Sequence, residues 1–379
     1  MISYFDYSST TYRKPKQVYK AIKTYKKYGV NIGRGKSDCS SKCEEIIADT
    51  RQMLKDLVKA DDDYKTIFQP SATYSLNLLI KGIDYTNIKN VYISKYEHNS
   101  VVRPLLEKQK DVGFEIIFLD NYIEQFKEKT PNLVIMSHLT NTFGIVQEYE
   151  KIFRLAKQYK SINILDMSQS FGLLETNITY GKVDAAVFAG HKTLYGFSGI
   201  GGVILNNGLK LKEFAQGGTG IRSADEQMPK ERPIRYEAGT QNILGIFSLY
   251  YSCKYLLKLT YKKIENIEKR NFERLKSILV KYPFLQVIEP KEKCSTIIAC
   301  KIKDYSPENF ADFFCKNKIA IRVGLQCSPN AHKEFGTFPS GTIRFSVGLF
   351  VKRWEFRKLD KVLNKLKIKL SSHIKWYNI

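Results

Sequence analysis

Short apolar runs alternate with longer amphipathic stretches through most of this chain. Seven runs, at 66–69, 90–94, 115–119, 133–137, 163–166, 185–189 and 202–205, have the composition of buried strands, and stretches of helical period such as 149–160 separate several of them. Strands alternating with helices predict an α/β domain on a mostly parallel sheet. The last link breaks the pattern. The connection from 189 to 201 is too short for a crossover helix, so the strand at 202–205 is predicted antiparallel to its predecessor. From about 250 a Lys-rich helical stretch leads to further candidate strands at 285–289, 296–301, 320–323 and 342–346, with helices at 307–317 and 352–374. This predicts a large domain over 16–250 and a smaller C-terminal α+β domain over 251–379, joined by residues 1–15.

Ligands of open parallel sheets collect at the carboxyl ends of the strands, and the polar residues there define a candidate site. Asn141 follows one strand, Asp166 and Gln169 close the next, and Lys192 follows the apolar run in VDAAVFAGHKTLYGFSGIGG. A lysine beside a histidine, leaving a buried strand for a Gly-rich turn, suits Schiff-base chemistry. Ser71, Ala72 and Thr73 lie between a strand and a helix beginning YSLNLLI, where free N–H groups and the helix dipole favour a phosphate.

The segments SHLTNTFG, LDMSQSFG, AGHKTLYG, RYEAGTQN and RVGLQCSPNAHKEFGTFPSGTIRFS, in that order and preceded by YFDYSSTTYRKP, resemble the class V aminotransferase group of pyridoxal 5′-phosphate (PLP) enzymes. Within that group the chain resembles cysteine desulfurases and selenocysteine lyases, nearly end to end. The resemblance implies fold type I, a seven-stranded, mostly parallel sheet and PLP as cofactor. Lys192 matches the lysine that carries PLP and moves the substrate α-proton. Asp166 matches the carboxylate at the pyridine nitrogen, and His98, in KYEHNS, the imidazole stacked on the ring. Gln169 and Asn141 match side chains near the phenolic oxygen, Asn141 also near substrate. Ala72, Thr73 and His191 match phosphate-binding residues, and Thr240 one that reaches the neighbouring subunit's phosphate, which implies a homodimer.

Two residues of the C-terminal part point to the chemistry. Arg344 matches the arginine whose planar fork holds the substrate carboxylate, and Cys327 the mobile-loop nucleophile that takes the substrate sulfur. The implied activity converts L-cysteine to L-alanine, leaving a persulfide on Cys327 for a sulfur acceptor. Selenocysteine lyase, carbon–sulfur lyase, epimerase and aminotransferase chemistry are alternatives on the same scaffold. A basic nucleic-acid-binding protein with a disused PLP fold is a remoter one. The chain departs from the family at Ala189, where many relatives have Ser, and at Ser8 and Ser9, where an Ala pair is usual. A histidine often found after Gly-Arg is missing from 33–37.

Composition adds limits. With 379 residues and 43% hydrophobic content the chain can bury two cores. No secretory signal or membrane span is expected, and seven cysteines without a framework suggest reduced thiols in a cytoplasmic protein. Cys39 and Cys43 lack a complementary pair at zinc spacing, so no metal is expected, and Cys253, Cys294, Cys300 and Cys315 read as core. The net charge of +23 is spread over helical surfaces rather than striped. Nucleic acid is therefore not the expected partner, whereas an acidic sulfur-acceptor protein would be steered to such a surface.

Overall fold

The computed structural model describes residues 1–32, 37–221, 224–302 and 305–371. The loop at 33–36 and the end of the helix expected over 352–374 thus fall partly or wholly outside the described residues. The chain forms two compact units: Lys14–His138 with Glu148–Tyr261, and Met1–Arg13 with Leu139–Gln147 and the chain from Lys262. In chain order the described strands are β1 (Ser3–Tyr4), β2 (Tyr64–Gln69), β3 (Asn90–Ile93), β4 (Glu115–Phe118), β5 (Leu133–Ser137), β6 (Ile162–Asp166), β7 (Ala185–Ala189), β8 (Gly201–Asn206), β9 (Leu285–Val287), β10 (Ile297–Ile302), β11 (Ile319–Ala320), β12 (Arg322–Gly324) and β13 (Thr342–Ser346).

The larger unit is built on a seven-stranded sheet of order β2-β8-β7-β6-β5-β3-β4. The five strands from β7 to β4 run parallel, and β8 is antiparallel to both its neighbours, as the short link after Ala189 requires. Every residue of β5 and β7 is buried, which is why these runs read as continuously apolar rather than alternating. Leu76, Leu79 and Ile80 of the helix Ala72–Gly82 pack with Ile135, Ile164 and Val187 of the sheet. The register aligns Ser137 with Asp166 and Asp166 with Val187, so the carboxyl ends of three strands form one edge.

The smaller unit carries an antiparallel sheet of order β12-β13-β10-β9, while β1 pairs in parallel with β11. Its core gathers Phe5, Leu275, Phe310, Phe314, Phe345 and Phe356. The single strand expected at 320–323 divides at Ile321, because Ile319–Ala320 pairs with β1 and Arg322–Gly324 with β13. Leu139–Gln147 pairs with itself through Leu139 and Val146 and with Cys294 through Ile145. Cys253 and Cys300 are core residues as expected, but Cys294 is only half-buried and Cys315 is exposed. The helix Glu308–Lys316 buries Phe310, Phe313 and Phe314, which turns Cys315 outward. Among the described residues no helix is long and apolar enough to cross a membrane.

Candidate active site

The polar groups of the larger unit stand at the carboxyl edge of its sheet. Asp166 ends β6 and is 6% exposed; its Oδ1 accepts from Ser168 N at 2.8 Å and Ser168 Oγ at 2.5 Å. No hydrogen bond to Oδ2 is present among the described residues, so one oxygen of a buried acid is left for a donor. Gln169, three residues on, is also buried. Lys192 is half-buried in a tight turn closed by Gly196 N to Gly190 O at 2.7 Å and Tyr195 N to Lys192 O at 2.9 Å. Lys14 clamps this turn by donating Nζ to Gly196 O at 2.7 Å. Burial pushes the Lys14 ammonium down to about 8, and burial with the nearby charges of Lys192 and Lys14 pushes His191 down to about 4.

His98 caps the helix Asn99–Val112, with Ser100 N donating to its Nδ1 at 3.0 Å, which assigns the ring proton to Nε2. Ser100 Oγ lies 2.9 Å from His98 Nδ1 and 2.9 Å from Thr73 Oγ1, so a chain of hydroxyls ties the ring to the start of the helix Ala72–Gly82. Ser71 caps that helix, accepting from Tyr74 N at 3.3 Å. A Cβ on Gly201 would come within 2.7 Å of Ser71 C and 2.8 Å of Ala72 N, so only glycine lets β8 pass beneath this terminus. PLP fits these residues: Ala72 and Thr73 offer a cradle for its phosphate, Asp166 Oδ2 an acceptor for its pyridinium N–H, and Lys192 an amine for its aldehyde.

Thr240 is exposed and lines an open cavity of about 960 Å³ with Arg51, Glu237 and Gly218, among others; Lys192, Asp166 and His98 do not line it. Arg51 fixes the RYEAGTQN segment by a fork to Glu237, with both bonds 2.7 Å.

In the smaller unit Arg344, on β13, is 3% exposed. Its Nη1 donates to Asn141 O at 2.7 Å, and its Nη2 to Asp6 Oδ1 at 2.9 Å and Ser9 Oγ at 2.8 Å. The buried Nε–H has no partner among the described residues. Burial pushes the Arg344 pKa down, with the charge of Asp6 opposing. Cys327 is exposed, and Asn141 connects it to Arg344: its Nδ2 donates to Gln326 O at 2.6 Å, and its Oδ1 accepts from Ser328 Oγ at 2.7 Å. The side-chain amide of Asn141 is thus engaged with the Cys327 loop, a role its position after β5 did not suggest. Gln326 and Cys327 both have positive φ, 43° and 60°, a conformation that costs about 1–2 kcal/mol per residue outside glycine.

Several functional candidates had no distinctive signal in the sequence. Asp6 reaches Arg344 from the N-terminal segment, as does Ser9, which the sequence marked only as a departure from the family pattern, and Gln326 differs little in type from any polar loop residue. Glu97 had one, its place beside His98. It is buried, accepts from Ser137 N and Ser137 Oγ, both at 2.8 Å, and burial pushes it up to about 8, with Asp166 adding to the shift. Among the described residues no cluster of His, Cys, Asp or Glu could hold a metal ion.

A model of the aminotransferase class-V family matches residues 3–359. The chain therefore belongs to the class-V aminotransferases, a family of PLP-dependent enzymes, and its fold is fold type I. Its relatives narrow the group to enzymes of cysteine desulfurase type. A probable cysteine desulfurase of Pyrococcus abyssi is 28% identical, covering 96% of this chain and 94% of the relative. The apo structure of a cysteine desulfurase from Thermococcus onnurineus superposes with a TM-score of 0.88 at 25% identity, covering 97% of this chain and 95% of that one. An Escherichia coli cysteine desulfurase structure, at 19% identity with 97% and 95% covered, shares the fold with a TM-score of 0.85.

Proposed function

We propose that the protein is a cysteine desulfurase, in which L-cysteine and the Cys327 thiol give L-alanine and a Cys327 persulfide. The observation that supports this most is the link from Arg344 through Asn141 to the turn bearing an exposed Cys327. PLP, when bound, supplies an electron sink for the pair released at the substrate's α-carbon. Lys192 takes the α-proton and returns a proton when alanine forms. Asp166 Oδ2 would hold the pyridine N–H, His98 would cover the ring, and Gln169 would support its phenolic oxygen, while Ala72, Thr73 and His191 would bind the phosphate. Arg344 binds the carboxylate through its guanidinium, whose Nε–H has no partner among the described residues. Cys327, as thiolate, attacks the substrate sulfur: a sulfur–sulfur bond forms as the carbon–sulfur bond breaks, and no outside oxidant is needed.

The charge of +23 favours an acidic acceptor protein for the persulfide sulfur. Exposed Thr240, beside an open cavity, is consistent with a homodimer in which it serves the neighbouring subunit's phosphate. Incubation of the purified protein with L-cysteine and a reductant is expected to yield alanine and sulfide in equal amounts. Cys327→Ser should cut alanine release at least about a hundredfold with PLP still bound. Pyruvate and ammonia as products would mark a lyase instead, and an unchanged rate of alanine release in Cys327→Ser would overturn the assignment.

A further inference from the structure

Cys327 is exposed, yet the residues on either side of it are buried. Gln326 is 9% exposed and Ser328 fully buried. Ser328 N donates to Leu325 O at 2.9 Å, closing a four-residue turn whose central residues, Gln326 and Cys327, both have left-handed φ. Turns of this kind ordinarily take Asn-Gly at the centre, because most side chains resist that conformation. Such a turn persists only where its surroundings over-determine it.

Asn141 holds the turn from outside through Gln326 O and Ser328 Oγ, and the Gln326 side chain braces it from within. Its Nε2 donates to Thr342 O at 3.1 Å, which fixes the orientation of the amide, since a carbonyl accepts only. Its Oε1 then accepts from Thr342 Oγ1 at 3.2 Å and from His332 Nε2 at 3.0 Å. A proton on His332 Nε2 leaves Nδ1 to accept from Thr337 Oγ1 at 2.6 Å. His332, Thr337 and Thr342 are all buried, and burial pushes the imidazole down to about 4, so it keeps this neutral form. Below the turn, the Cβ that Gly341 lacks would lie 2.2 Å from Gly324 C, so β12 and β13 meet closely where the loop begins.

We propose that Gln326 is a positioning residue for Cys327: its buried amide, braced by His332 and Thr342, holds the turn that presents the thiol, so the thiol sits on a fixed turn and not on a swinging loop. The proposal rests on Cys327 being the residue that takes sulfur. It gives the acceptor a condition to meet, since the acceptor must bring its own nucleophile to an exposed, stationary turn.

Hydrogen exchange on the holoenzyme tests the clamp without reference to turnover. The amides of Ser328 and His332 are expected to exchange at least about a hundredfold more slowly than in an unstructured chain. Fast exchange there in the wild type would overturn the proposal. Gln326→Met keeps the volume and removes the hydrogen bonds. It is expected to raise that exchange and to lower kcat for alanine formation about tenfold or more, with KM for cysteine and PLP absorbance within about twofold of wild type. Wild-type kcat and exchange in Gln326→Met would reduce Gln326 to packing and overturn its role. Failure of the Cys327 assignment itself reads out separately, as alanine release by Cys327→Ser.

Discussion

A buried guanidinium is useful to a substrate only if other groups keep it oriented, and Arg344 is held on two sides. Asp6 shares its carboxylate between Arg344, at 2.9 Å, and Arg322, at 3.2 Å, while Ser9 donates its hydroxyl to Asp6 and accepts from Arg344. The arrangement depends on the planar shape of the group: Nη1 and Nη2 point at different partners while Nε–H stays available. Lysine at 344 would retain the charge and lose the fork. Each charge-assisted hydrogen bond is worth about 1.5–3 kcal/mol, so Arg344→Lys should lower catalytic efficiency for cysteine at least about tenfold with PLP absorbance unchanged. Steady-state kinetics alongside a cofactor spectrum would check it, and wild-type efficiency would remove Arg344 from the substrate.

At the scale of elements, the meeting of β8 with the helix Ala72–Gly82 carries most of the proposed phosphate site. Gly201 pairs with Gln69 on one side and Ala189 on the other, so its backbone is fixed in the sheet and cannot retreat from Ser71 and Ala72. Gly201→Ala forces the helix terminus to shift. Overpacking of this kind costs about 1–3 kcal/mol, and titration of the apoprotein with PLP should show affinity weakened about tenfold. Unchanged affinity would place the phosphate elsewhere. Much of this architecture was legible in the sequence, because strands buried on both faces write continuous apolar runs, and the reversal at β8 followed from the length of one link. What was not legible depends on pairings distant in sequence. Ile145 bridges to Cys294, Ile319 pairs with Ser3, and Asn141 bonds to Gln326, and no local pattern carries any of these. The same limit applied to the site. Asp166 stood out because it ends an apolar strand and Lys192 because it follows one, whereas Gln326 acquires its role only from Thr342 and His332.

Across the whole molecule, buried titratable groups make stability depend on pH with a definite sign. Burial pushes His138 and His332 down from the ordinary 6.5 to about 4, and His191 is pushed to about 4 by burial and nearby lysines. Between those values the unfolded chain binds three protons that the native state refuses, so stability is full above about pH 6.5 and is lost as pH falls toward 4. Glu97 acts in the opposite direction. With its pKa pushed from 4.5 up to about 8, the native state holds one proton that the unfolded chain has released through the same window. Three imidazoles outweigh one carboxyl, which leaves a net uptake near two protons on unfolding and a slope of about 2–3 kcal/mol per pH unit near pH 5.5. Added positive charge on a chain already at +23 works the same way. The denaturant midpoint of the apoprotein is therefore expected to fall clearly from pH 7 to pH 5.5. Glu97→Gln, which keeps a neutral side chain at every pH, should steepen that fall, because it removes the one opposing group. A midpoint that stayed level or rose on acidification would show that these imidazoles are not held neutral by burial.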